Sequence, residues 1–448
     1  MKRGNRPLSS ETPISKRALA PLALFLAIFV GSGVYFQATG ADFAFYQVAT
    51  PVAALPAILL AVILSRKSLN QTVENFLAGA GHSNIMAMCM IYLLAGAFSS
   101  VAKATGGVES TVNLAMAVIP SAFLLPGLFV VGALISTAMG TSMGTIAALA
   151  PIALGIAPKA GLGLPLVAGA VMGGAMFGDN LSIISDTTIA ATRTQGCNMK
   201  DKFRVNFSIA VPAALITVVF LAFQGGDGIV DGDKPWKLLQ VVPYATILVM
   251  ALAGLNVFAV LFTGVVLAGV AGFITVPDFT FLTYAKNIYG GFTGMQEIFI
   301  LSIFIGGLGA LMKEQGGLAF LERKVELFIQ RFSSGKNKIL FAELGIGLLV
   351  FLTNLCTANN TVAILVTGDV ARNIAENNGV EPRRSAGILD IFSCICQGII
   401  PWGAQILLAA SIFVISPLTV IANVQYCWLL FLCSILAIVG HGKQRNNG

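Results

Sequence analysis

Stretches free of charge, each long enough to cross a membrane, are separated along this chain by short joints where polar and charged residues gather. Residues 18–41, 43–65, 205–226 and 238–277 contain no Asp, Glu, Lys or Arg, and each reaches or exceeds the roughly 20 residues that span a hydrocarbon core. Residues 110–158 and 391–442 are charge-free for long enough to hold two passes each. With the apolar stretches at 75–102, 160–178, 298–312 and 344–368, the pattern predicts about 11 to 13 hydrophobic segments. Helices satisfy their backbone groups internally in lipid. The expected fold is an all-α polytopic membrane bundle.

The positions of the charges add an orientation. Residues 1–17 carry Lys2, Arg3, Arg6, Lys16 and Arg17 against Glu11, and the apolar run that follows is too long for a cleaved signal segment. The tail is therefore expected in the cytoplasm, with a signal anchor after it. Arg193, Lys200, Lys202 and Arg204 form a basic loop expected on the same side, and Asp227, Asp231 and Asp233 against Lys234 an acidic loop on the other. Only 10% of residues are charged, against about 25% in a soluble domain. The net charge of +7 then reflects loops near anionic lipid, and nothing calls for nucleic acid. Most of the seven cysteines sit in apolar runs, Cys394 and Cys396 match no zinc spacing, and the two histidines, His82 and His441, are far apart. No metal framework, disulfide framework or cofactor is expected.

Comparing the halves exposes an internal repeat, a common device of transporters. LLAGAFSSVAKATGGV (93–108) lines up with FIGGLGALMKEQGGL (304–318), setting Lys103 on Lys313. STAMGTSMGT (136–145) falls near TNLCTANNT (353–361), with Thr145 on Thr361, and the region of Gly178 near Gly398. The expected organisation is a tail at 1–17, N-terminal transmembrane helices at 18–74, a first repeat at 75–223, connecting loop and helices at 224–283, a second repeat at 284–440 and a tail at 441–448. Whether the copies are inverted depends on an odd number of crossings per copy, which hydropathy leaves open.

Each copy contains small, hydroxyl and amide residues inside a span. Such residues weaken a helix and free backbone oxygens at membrane depth, where a cavity or ion accepts them. Thr141, Ser142 and Thr145 mark this site in the first copy, and Asn354, Thr357, Asn359, Asn360 and Thr361 in the second. The same residues also serve close helix packing. The stretch GDNLSIISDTT (178–188) adds carboxylates, Asp179 and Asp186, among Asn180, Ser182, Ser185, Thr187 and Thr188. One reading makes Asp186 a helix N-cap. The other makes these acids the centre of a cation site built from side-chain and backbone oxygens. Low dielectric and a second carboxylate both favour neutralising an Asp, and a proton or a sodium ion each does so, but not both together. In the second copy Pro401, Trp402, Gly403 and Gln405 stand where the acid would be, so Gln397, Trp402 and Gln405 are candidates for an organic solute. Glu297 and His82, at the starts of apolar runs, are candidates for gating or proton relay. Glu343, Asp369 and Asp390 lie near segment ends, where capping or snorkelling is expected.

GDNLSIISDTT resembles the signature of the NhaC family of sodium/proton antiporters, with Ile183 where a proline is usual. QGIIPWGAQ (397–405) is similar to the family's second Pro-Trp segment, with Gly403, Ala404 and Gln405 replacing a more usual Asn-Thr-Cys. Asn359-Asn360-Thr361 is similar to the Ser-Asn-Thr hairpin motif of the wider ion-transporter superfamily. The resemblance implies inverted repeats with re-entrant hairpins and an elevator-like motion. It also implies ion exchange or sodium-coupled carriage of amino acids or organic acids.

Two functions follow. The first is a sodium/proton antiporter in the bacterial cytoplasmic (inner) membrane, with sodium ion and proton as its partners beside the lipid bilayer. The alternative is a sodium- or proton-coupled carrier of an amino acid or carboxylate. Neither is an enzyme: no nucleophile with a His base and no ATP-binding motif is present. A homodimer is left open as the assembly.

Overall fold

The structure is a computed structural model that describes residues 14–40, 47–118, 120, 123–224, 235–332 and 337–446. Residues 1–13 and the acidic loop residues 225–234, on which two of the orientation expectations rest, lie outside the described residues. All regular structure among those described is helical. Among the described residues ten helical stretches are long and apolar enough to cross a membrane, and Thr50–Leu64, Leu124–Met139 and Leu238–Leu252 are shorter apolar helices. The chain is a multi-pass membrane protein, in keeping with the hydropathy pattern.

After a 3-10 turn at Lys16–Leu19 come α1 (Ala20–Ala38), α2 (Thr50–Leu64) and α3 (Leu69–Ala80). The first half continues with α4 (Ser83–Ala104), α5 (Gly107–Val118), α6 (Leu124–Met139), α7 (Ser142–Lys159), α8 (Leu164–Leu181), α9 (Asp186–Gln195) and α10 (Met199–Ala222). Next are α11 (Leu238–Leu252), α12 (Val257–Thr275) and α13 (Phe281–Gly294). The second half has α14 (Gln296–Glu314), α15 (Gly317–Phe332), α16 (Lys338–Thr357), α17 (Asn360–Asn378), α18 (Pro382–Ile399), α19 (Ala404–Phe413), α20 (Pro417–Asn423) and α21 (Gln425–Asn446).

Four breaks position the site, and each has a local cause. α6 stops at Gly140, which turns left-handed (φ 70°), and Thr141 then caps α7 by accepting from the Gly144 N–H. α8 ends where Ser182 becomes extended (φ −65°, ψ 134°), and Ser185 caps α9 by accepting from the Thr188 N–H. Asp186 is therefore the first residue of α9 and not its cap. α16 stops at left-handed Ala358 (φ 48°), and Asn359 caps α17 through the Val362 N–H. α18 gives way to α19 across extended Ile400 and Gly403.

These breaks recur at a constant separation of 218 positions, 140 to 358, 164 to 382 and 186 to 404. Left-handed residues obey the same spacing at Gly161 and Gly379, and at Gly196 and Val414. So does a tertiary hydrogen bond. The Ser136 hydroxyl donates to the Ala175 carbonyl (2.6 Å), and the Asn354 amide to the Ser393 carbonyl (2.9 Å). This spacing corrects the two downstream landmarks read from side chains, which slip by two positions either way, while left-handed Gly106 and Gly316 keep the separation of 210 read for the first. Thr145 lies opposite Ala363, and Gly178 opposite Cys396. Runs of Thr and Asn at both tips allow several registers, and helix ends allow one.

Equivalent helices α4 and α14 run antiparallel. Ile85 meets Gly306, Tyr92 meets Ser302 and Gly96 meets Met295 at the α14 cap, while Gly79 of α3 meets Gly306 and Ala310 of α14 and Gly96 also meets Gly291 of α13. Methyl groups at Gly79 or Gly96 would collide with the facing backbone, which is how small residues bring membrane helices close. These two helices pack with α2, α3, α12 and α13, whereas α6 to α10 pack with α16 to α21. In that second group α7 lies against α19 and α9 against α17, so each half holds the broken helix of the other.

Candidate functional site

A cavity of about 100 Å³ opens where these breaks meet. The tips of α6–α7 and α16–α17 supply Thr141, Ser142, Asn359, Asn360 and Thr361. The α8–α9 break supplies Asp179, Asp186 and Thr187, and α19 supplies Gln405. Asn84, Met88 and Ile91 of α4 close the remaining wall.

Asp179 is 4% exposed. Burial there follows from the tight crossing of α8 on α6. At Gly178 a methyl would strike Ser136 and the Ala133 carbonyl, and at Gly174 the Phe129 carbonyl. The Ser142 hydroxyl donates to Asp179 Oδ2 (2.8 Å), and Gln405 Nε2 donates to the Ser142 oxygen (3.0 Å). This relay crosses from α19 to α7 to α8, joining both halves at one carboxylate. No described residue donates to the other Asp179 oxygen. Asp186, by contrast, is exposed at the cavity edge.

Around the cavity two further polar atoms are buried without a partner, Asn360 Nδ2 and Gln405 Oε1. The starts of α7, α9, α17 and α19 all face it. A helix start carries partial positive charge and free N–H groups, which counterbalance carboxylates at this depth.

Several predicted residues support the breaks without lining the cavity. Thr145 donates to the Thr141 carbonyl (2.9 Å) and Thr357 to the Asn359 carbonyl (3.2 Å), tightening both tips. Ser182 donates to the Thr137 carbonyl (3.0 Å), and Thr188 to the Ser182 carbonyl (2.7 Å). Ser185 is the α9 cap, Asn354 ties α16 to α18, and the Asn180 amide meets the Tyr426 hydroxyl (3.1 Å). The three solute candidates separate. Gln405 lines the cavity, whereas Gln397 donates to the Ala358 carbonyl (3.1 Å) and Trp402 to the Leu355 carbonyl (3.1 Å), with its ring edge-on to Phe25.

Glu297 and His82 are elsewhere. Glu297 accepts from the Thr50 N–H (2.9 Å) and so caps α2. His82 caps α4 and faces a larger cavity of about 490 Å³ with Lys313, Glu314 and Thr357.

Sequence reasoning missed two buried ion pairs. Lys202, read as part of a basic loop, is 1% exposed and lies 2.8 Å from Asp390, which is 0% exposed. Glu343, also 0% exposed, takes a two-pronged contact from Arg384 (2.8 and 3.1 Å) and a third from His441 (3.0 Å). Asp390 and Glu343 are thus interior ion-pair members and not the end caps or snorkelling groups expected, because α18 and α16 continue past them into packed helix. Asp369 is exposed, in the middle of α17 and not at a segment end. A signal for Lys202 was present. Lys202, Asn206, Ile209, Ala210, Ala213 and Thr217 form one buried stripe at helical spacing.

The family model described as the Na+/H+ antiporter family matches residues 7–225 and 236–441. Among similar proteins is the malate-2H+/Na+-lactate antiporter of Bacillus subtilis, 27% identical over 93% of this chain and 92% of that protein. The Na+/H+ antiporter NhaC of the same organism is 25% identical over 80% and 83%. The arginine/ornithine antiporter ArcD of Halobacterium salinarum is 22% identical over 84% and 83%.

Proposed function

Starting from the fact that the chain belongs to the Na+/H+ antiporter family, we propose that it exchanges sodium for protons by letting the two compete for Asp179. The supporting observation is that Asp179 is buried at the meeting point of four helix breaks, with one oxygen fixed by Ser142 and the other accepting from none of the described residues. A carboxylate at membrane depth is costly unless neutralised. A sodium ion held by Asp179 with Thr141, Asn359 and other tip oxygens neutralises it, and so does a proton. Asp186 at the cavity edge attracts the incoming cation. Passing the site alternately to each side then couples the two fluxes.

We place the N-terminus in the cytoplasm. Alternate passes from there put Arg66 and Lys67, the 193–204 segment and the charged α15 on the cytoplasmic side, which satisfies the positive-inside tendency.

A second reading has its own observation. Four helix starts and the unpaired Asn360 Nδ2 favour an anion, so the cavity also suits the carboxylate of a small organic acid travelling with the cation. That chemistry agrees with the name of one relative, the malate-2H+/Na+-lactate antiporter.

Proteoliposomes decide between them. Under the exchange reading, a sodium gradient alone drives an internal pH change, and Asp179→Asn abolishes it. Should that pH change require malate, lactate or an amino acid outside, the organic-acid reading takes its place.

A further inference from the structure

The α8–α9 break has a second face, away from the cavity, and a side chain fills it. From the first turn of α10 the Lys202 ammonium reaches Asp390 Oδ2 (2.8 Å), the Asn180 carbonyl (3.0 Å) and the Thr188 hydroxyl (2.7 Å). Asn206, one turn later, donates to the same Asn180 carbonyl (3.0 Å) and to Asp390 Oδ2 (2.7 Å). An ammonium has three N–H groups, and three oxygens use them all. Those oxygens are a carboxylate, a carbonyl released as α8 ends and a hydroxyl of the first turn of α9. This is the donor set a hard cation takes.

Among the described residues the arrangement occurs once. At the spacing of 218, Lys202 corresponds to Val420 and Asp390 to Met172, so the charges are not a product of the fold's internal correspondence. Neither residue lines the cavity. A buried pair gains little over well-packed apolar side chains, and what this one adds is a fixed charge balance beside Asp179.

We propose that Lys202 is a built-in counter-cation: its ammonium permanently occupies a second cation place in the α8–α9 break and neutralises Asp390, leaving Asp179 as the single carboxylate that exchanges its cation. This rests on the reading of Asp179 given above. It makes one sodium bind per site, and it gives the two partners opposite signs. Removing the Asp390 charge leaves a net positive neighbour that repels sodium from Asp179. Removing the Lys202 charge leaves a net negative one that draws in another cation.

The test is equilibrium binding of radioactive sodium to the purified full-length protein, with chromatographic profile and melting temperature as folding controls. The native protein should bind with a Hill coefficient near one. Asp390→Asn should raise the half-saturating sodium concentration by about tenfold or more. Lys202→Met should raise the Hill coefficient above one or lower the half-saturating concentration. The double variant should return to within about threefold of native, and it keeps the test decisive where a single variant fails to fold. Single substitutions that shift binding in the same direction, with no recovery in the double variant, would reduce the pair to a structural clasp. A folded double variant that binds sodium but no longer exchanges it would make Lys202 the proton carrier and overturn the inference. Asp179→Asn separates the two levels. If sodium binding survives it unchanged, the reading of Asp179 fails, whatever the signs at Lys202 and Asp390.

Discussion

Asp179 and Asp186 belong to one hydroxyl-rich motif, yet the fold gives them unlike surroundings. Asp179 is sealed by the Gly174 and Gly178 crossing and held by Ser142, while Asp186 stands exposed in the first turn of α9. Asp186→Asn should therefore leave exchange intact with a few-fold weaker sodium dependence, measured as the sodium concentration giving half-maximal pH change. Ser142→Ala removes a hydrogen bond to a charged group, worth about 1.5–3 kcal/mol. Sodium affinity at a fixed pH should change by about ten- to a hundredfold, read by the same assay. The motif was legible as a candidate site because carboxylates and hydroxyls adjoin an apolar run. Which acid is buried was not, since that depends on glycines whose partners lie on α6. Lys202 was misread for a related reason. Lys200 and Arg204 beside it are exposed, and only helical phase separates it from them.

The interruptions at 136–145 and 353–361 were the most legible feature of the elements, and their register the least. Gly140 and the Thr141 cap could be anticipated from residue type, whereas Ala358 takes a left-handed conformation without being glycine. A left-handed L-residue costs roughly 1–2 kcal/mol. Gly140→Ala should lower the stability of the purified protein by about that amount, with more if Ile184 cannot yield. Ala358→Gly should be neutral or stabilising by up to about 1 kcal/mol. Thermal denaturation in detergent compares the two directly. A large loss of stability from Ala358→Gly would mean that tip has another conformation.

In the whole molecule, the group of helices around α4 and α14 meets the group that carries the breaks across the cavity wall. Within the second group Arg384 on α18 clasps the buried Glu343 on α16 and also donates to the Ala437 carbonyl of α21 (3.0 Å), with the half-buried His441 ring beside them. Arg384→Ala strands a buried carboxylate and should cost about 3–5 kcal/mol, seen as a lower melting temperature, while Arg372→Ala, from an exposed pair, should cost under about 1 kcal/mol. Hydropathy revealed the helical membrane bundle. It did not reveal the clasp, because the pairing of single charges on separate apolar helices is decided by tertiary packing.

The central claim is that sodium and protons compete for one buried carboxylate. Its most direct test is sodium binding to the purified protein over a series of pH values, without any organic substrate. Simple competition predicts that, below the pH where Asp179 is free of protons, the half-saturating sodium concentration rises about tenfold for each unit of acidification, and that Asp179→Asn removes both the binding and its pH dependence. Sodium binding that ignores pH, or that persists in Asp179→Asn, would contradict the account.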